Sequence, residues 1–170
     1  MITASHKGFT LIEALVYLAL FSILMGGAVV AAYNLFDSSL KVGTRTMLQG
    51  ESDFMLAKID WVLSGAKGVT APTAGVVGST LTVAKWDTSA GDPMMVTVTG
   101  GDLILTRGTN APVILNNTNT RVDSVQFNHT LGSGDGVVPE MVETVLTISA
   151  MTPTGLSVTR IATTTTYLRR

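Results

Sequence analysis

The chain has 170 residues, room for one ordinary domain and a little more, with 46% hydrophobic and only 14% charged residues, a low charge fraction for a freely soluble domain. Eleven Lys and Arg against twelve Asp and Glu leave a net charge of -1, and the basic residues are scattered singly apart from Arg169-Arg170, which argues against a nucleic-acid partner. There is no cysteine, which excludes a disulfide framework and a thiolate metal site.

Residues Met1 to Gly8 are polar and short, with Lys7 the one certain side-chain charge and His6 beside it. From Phe9 the texture becomes apolar. The 23 residues from 14 to 36 carry no charge and no proline. As a helix rising about 1.5 Å per residue they span roughly 35 Å, enough to cross a bilayer core of about 30 Å with some tilt. A secretory signal peptide is the competing reading, with small residues for cleavage between Ala28 and Ala32. Its apolar stretch is usually shorter, about 7–15 residues.

Glu13 is the informative residue. A carboxylate at the centre of a membrane helix costs roughly 2.5–3.5 kcal/mol on insertion scales, and less near an end. No basic residue stands three or four positions away to pair with it. Either Glu13 is an interfacial acid close to water, or its partner comes from another chain or from a new terminus.

Lys7-Gly8-Phe9-Thr10-Leu11-Ile12-Glu13, followed by a long apolar helix, resembles the leader and N-terminal segment of the type IV pilin superfamily. That superfamily comprises major and minor pilins and the pseudopilins of type II secretion and competence. The resemblance covers roughly residues 6 to 36. It implies that a prepilin peptidase cuts between Gly8 and Phe9 and methylates the Phe9 amine, and that Glu13 pairs with the N-terminal amine of an adjacent subunit during assembly. The physical logic is consistent with this. Cleavage creates a cation four residues before Glu13, at the helix end that favours an anion and disfavours a cation. In an apolar filament core a charge-matched neighbour recovers the cost of burying the acid and fixes axial register.

Beyond Phe36 the apolar residues keep a helical rhythm. Leu40, Leu48, Met55, Ile59 and Val62 fall on one stripe with Leu63 beside it, while Lys41, Arg45, Glu51, Lys58 and Asp60 occupy the rest. The pattern predicts an amphipathic helix to about Ser64, halted by Gly65 and Gly68. After Pro72 the runs are short and β-prone, with 25 Thr in the whole chain. The predicted strands are 80–84, 94–99, 103–107, 113–115, 122–129, 142–149 and 156–162, with 163–170 as a β-prone tail. Gly100-Gly101-Asp102 reads as a tight hairpin turn. The fold class expected is α+β: a long N-terminal helix, membrane-spanning in its first half and amphipathic in its second, packed on a C-terminal antiparallel β-sheet domain. The boundaries are a leader over 1–8, a transmembrane half over 9–36, an amphipathic half over 37–64 and a β-rich domain over 65–170. The body, ending in Thr-Thr-Thr-Thr-Tyr-Leu-Arg-Arg, is similar to the minor pseudopilin J and minor pilin W group, more loosely than the N-terminal segment is to its superfamily.

Catalytic, metal and cofactor chemistry is not offered. His6 lies in the leader, and His129 is alone and reads as a turn or half-buried strand residue. Asp135, in the Gly132-Ser-Gly-Asp-Gly136 loop, has no set of further carboxylates around it for calcium. Asn116-Asn-Thr118 and Asn128-His-Thr130 match the glycosylation acceptor pattern. Trp61 and Trp86 read as core or helix–sheet contacts. The functional expectation is a minor pilin or pseudopilin without enzymatic activity. Its implied partners are other pilin or pseudopilin subunits, a prepilin peptidase, an inner-membrane assembly platform and the lipid bilayer. It would sit in the cytoplasmic membrane with its β domain outside, and in a cell-surface or periplasmic filament after assembly. The alternative is a membrane-tethered extracytoplasmic β domain with no filament role.

Overall fold

A computed structural model describes residues 10–86, 91–133 and 138–168. Its element order is α1 (Leu11–Leu63), β1 (Ala66–Ala71), β2 (Val77–Gly78), β3 (Leu81–Lys85), β4 (Met94–Thr99), β5 (Asp102–Arg107), β6 (Val113–Ile114), β7 (Arg121–Thr130), β8 (Met141–Met151) and β9 (Ser157–Tyr167). Two units are distinguished, one ending at Leu40 and one beginning at Lys41, and each is described separately.

The described part of the first unit is helix from Leu11 onward. Thr10 caps it: the Glu13 backbone N–H donates to Thr10 Oγ1 at 3.4 Å and the Ala14 N–H to Thr10 O at 3.1 Å. Thr10-x-x-Glu13 has the spacing of a capping box. Further along, Ser22 Oγ donates to Leu18 O at 2.8 Å, so this hydroxyl is satisfied within the helix, whatever surrounds it.

In the second unit, α1 buries one face through Thr44, Leu48, Ser52, Met55, Ile59, Val62 and Leu63. The stripe begins later than its rhythm predicts, because Leu40 remains partly exposed. It also includes two polar positions that periodicity of apolar residues does not reveal. Ser52 is accommodated by two bonds: its hydroxyl donates to Gln49 O at 2.9 Å and accepts from Arg160 Nε on β9 at 2.9 Å. Gly65, at φ +66°, ends the helix in the left-handed conformation that glycine takes most easily.

The β domain is two antiparallel sheets where the sequence suggests one. The five-stranded sheet runs β1-β3-β4-β5-β6 and the four-stranded sheet β2-β7-β8-β9. Leu48, Met55 and Ile59 of α1 join Val83, Val96 and Leu103 of the first sheet and Phe127, Leu146 and Ile148 of the second in one buried cluster. On β8 the alternation is nearly complete, with Val142, Thr144, Leu146, Ile148 and Ala150 inward, as the pleat of a half-buried strand dictates. The β4–β5 hairpin turns through Gly100 and Gly101, at φ +70° and +99°, with Thr99 paired to Asp102. Two successive positive φ values define the twist-compatible two-residue turn.

Four further points depart from the sequence expectation. β1 and β2 lie outside the predicted strands, since Ala66-Lys-Gly-Val-Thr-Ala and Val77-Gly78 hold only short β-branched stretches interrupted by Gly and Ala. The 156–162 segment and the Thr-rich tail are one continuous strand paired with β8 along Met141–Met151. Trp61 and Trp86 are 46% and 66% exposed, so neither is core: Lys85 and Arg107 lie 5.8 Å from the centre of the Trp61 ring, the helix–sheet contact that is the other expectation, while Lys67 on β1 lies 5.6 Å from that of Trp86. Asn116 is buried and bonded, accepting from Leu103 N at 2.8 Å and donating to Asp102 Oδ1 at 3.1 Å and Thr120 O at 2.8 Å. Its amide is therefore a structural clamp on the β5–β7 connection and not an open glycan acceptor.

Candidate functional site

Glu13 lies in the first turn of α1, exposed among exposed apolar neighbours. From Thr10 to Leu35 every side chain of the described helix is exposed in the isolated chain, including Leu11, Ile12, Phe21, Leu24 and Tyr33. A continuous apolar surface of that size is not stable in water and calls for lipid or other helices around it. Glu13 is the single charge on it before Asp37. Its backbone N–H is taken by Thr10, and the helix N-terminus supplies a favourable partial positive charge to its carboxylate. Geometry thus places Glu13 at the third position of a helix capped by Thr10, a Thr10-x-x-Glu13 spacing that sequence reasoning missed although it was there to be read. Gly8 and Phe9, where cleavage and methylation are expected, lie outside the described residues, as do His6 and Asp135.

Besides the Asn116 clamp, the described residues of the second unit include two further buried polar clusters. His129 and Glu140 are 3% and 6% exposed. His129 Nδ1 is 3.0 Å from Pro72 O and Nε2 is 2.8 Å from Glu140 Oε1. A carbonyl oxygen only accepts, so Nδ1 carries its hydrogen. A bare Nε2 lone pair would then face a carboxylate oxygen, so the pair holds one further proton between Nε2 and Oε1. The sequence shows His129 without a partner, because Glu140 comes to it across the β7–β8 connection.

The other cluster is Lys85, on β3 and largely buried. Its ammonium donates to Trp61 O at 3.3 Å and to Ser64 O, carbonyls left open at the end of α1. No basic residue occupies the helix's own last turn, and Lys85 supplies the missing cation. Burial lowers its pKa from the usual 10.5. Among the described residues no group of three or more His, Asp or Glu is arranged to hold a metal ion. Neither cluster has a nucleophile, a base and an orienting group in reach of one another.

A family model described as the prokaryotic N-terminal methylation motif matches residues 3–29. No curated protein and no solved structure matches the chain. The fold and the motif define a membrane-anchored, pilin-like protein: a prepilin-type methylation motif, one helix long and apolar enough to cross a membrane near the N-terminus, and a helix packed on antiparallel sheets. More particularly, these features are consistent with a pilin- or pseudopilin-like membrane-anchored chain, single-pass, with its β domain on the extracytoplasmic side.

Proposed function

We propose that this chain is a minor pilin or pseudopilin, a structural subunit that helps initiate or cap a type IV pilus or a type II secretion or competence pseudopilus. The observation that carries the reading is the methylation motif over residues 3–29 joined to an exposed apolar helix whose one charge before Asp37 is Glu13. In this reading residues 1–8 are a leader, 9–36 the membrane half of the helix, 37–64 its amphipathic half and 65–170 the β domain. A prepilin peptidase cuts between Gly8 and Phe9 at the cytoplasmic membrane and the Phe9 amine is methylated. Glu13 then accepts the amine of an adjacent pilin or pseudopilin subunit while the assembly platform draws the helix out of the bilayer. Water is scarce in a bundle of such helices, so the pair contributes about 1.5–3 kcal/mol as a hydrogen bond to a charged group. It acts mainly as a register device. The subunit is expected at a few copies per filament, and quantitative mass spectrometry of sheared filaments finding it dominant would overturn the minor assignment.

The test is the ratio of this subunit in purified filaments to that in membranes, for wild type, Glu13→Ala, Glu13→Gln and Thr10→Ala. Charge pairing predicts a large fall for Glu13→Ala, a smaller one for Glu13→Gln and normal recruitment for Thr10→Ala. A purely local capping role predicts the reverse order: Thr10→Ala impaired, and Glu13→Gln like wild type, since glutamine serves a capping box as well. Normal recruitment of Glu13→Ala would remove the assembly role altogether.

A further inference from the structure

We propose that the groove between the last turns of α1 and the edge of the five-stranded sheet docks an extended segment of a different protein chain, one carrying a carboxylate beside an apolar side chain. The groove has a volume of about 350 Å³ and is lined chiefly by Phe54, Lys58, Trp61, Arg107, Val113 and Ile114. Phe54, Trp61, Val113 and Ile114 are each about half exposed. Single exposed apolar residues are ordinary, but four large ones around one depression form a patch of the kind that marks a contact surface. Trp and Arg are also the residues on which interface energy concentrates.

The shape of the occupant follows from the sheet. β6 is the last strand in the order, paired with β5 through Ile104–Ile114 and Leu105–Val113. Among the described residues no strand lies on its other side. An extended segment can add there by main-chain hydrogen bonds. With only two residues in β6, such bonds are few, and the side-chain pocket beside them must supply selectivity.

Charge decides the chemistry of the occupant. No Asp or Glu lines the groove, and neither Lys58 nor Arg107 has an ion pair among the described residues. Lys58 Nζ lies 5.3 Å from the centre of the Phe54 ring, and the Arg107 guanidinium 5.8 Å from that of Trp61. The rings hold both cations at the rim, where their N–H groups remain open to a carboxylate. A second copy of this chain is a poor donor. Among its described carboxylates from Lys41 onward, Glu51, Asp60, Asp92, Asp102, Asp123, Glu140 and Glu143 are already bonded within the chain. Asp53 is the exception: it is exposed on α1 and does not line the groove. With a single such carboxylate on a second copy among the described residues, a different chain is the better donor, and the experiment below separates the two.

The experiment places the photo-crosslinker p-benzoylphenylalanine at Ile114 of the full chain in its native cells, and the cross-linked product is mapped by mass spectrometry. The expected product joins Ile114 to another protein, within two or three residues of an Asp or Glu that has an apolar neighbour. Lys58→Glu with Arg107→Glu should lower its yield about tenfold, corresponding to about 1.4 kcal/mol. Changing the mapped acid to Lys should restore it, which a misfolded variant could not do. Arg107→Gln alone should lower the yield by a smaller factor. A product with a second copy or with lipid only, no product, or a yield indifferent to these charges would overturn the proposal. The readout does not depend on filament assembly, so Glu13 recruitment and groove docking fail or hold separately.

Discussion

Removing the Glu140 carboxylate should destabilise the β domain by about 3 kcal/mol, because it strands a buried imidazole. His129 and Glu140 meet at 2.8 Å with almost no solvent access. Breaking such a pair from one side costs about 3–5 kcal/mol, since the remaining group keeps its desolvation penalty and loses its partner. In Glu140→Ala, His129 still donates Nδ1–H to Pro72 O but Nε2 faces a void, and the lower end of that range applies to a neutral imidazole. Glu140→Gln keeps a donor for the bare Nε2 and should cost only about 1 kcal/mol, a typical net hydrogen bond. His129→Phe with Glu140→Leu removes both polar groups and should lie closer to wild type than Glu140→Ala does. For a unit of this size 1 kcal/mol moves the melting temperature by about 3–5 °C, so the alanine variant should melt roughly 10 °C lower. The assay is thermal unfolding of the full chain in detergent micelles, followed by near-ultraviolet circular dichroism. A loss under about 1 kcal/mol in Glu140→Ala, or a double variant as unstable as the alanine variant, would refute the pairing argument.

Processing should leave a mature chain beginning with methylated Phe9, and Gly8→Ala should retain the uncut precursor; intact-mass spectrometry of the native protein showing Met1 retained would exclude this. Lys85 has a folded pKa below its unfolded 10.5, so the unfolded state binds more protons between the two values and the Lys85 contribution to stability rises with pH through that window. Denaturant unfolding at several alkaline pH values should show that rise relative to Lys85→Met, and a wild-type minus variant difference independent of pH would contradict it. Asn116→Ala leaves the Leu103 N–H without its acceptor and should cost about 1–3 kcal/mol in the same experiment. An unchanged unfolding midpoint would show that the clamp is dispensable.

Much of this architecture was legible along the chain because it rests on local rules. The uncharged span after Glu13 sets a membrane length by rise per residue alone, and the glycine at position 65 and the Gly100-Gly101 pair act through backbone conformation that needs no neighbours. The strands β4, β5, β7 and β8 carry β-branched residues at period two, so their place was readable within a residue or two at each end. What only the tertiary structure decided is who meets whom. The division into two sheets, the His129–Glu140 pair, the Lys85 cap on a helix that has no basic last turn, and the exposure of Trp61 and Trp86 join residues far apart in sequence. β1 and β2 form on little local propensity because β3 and β7 offer them unpaired hydrogen-bonding edges. Periodicity reports which side of an element is apolar; the partner across from that side is fixed by chain closure and packing, which a linear pattern does not contain.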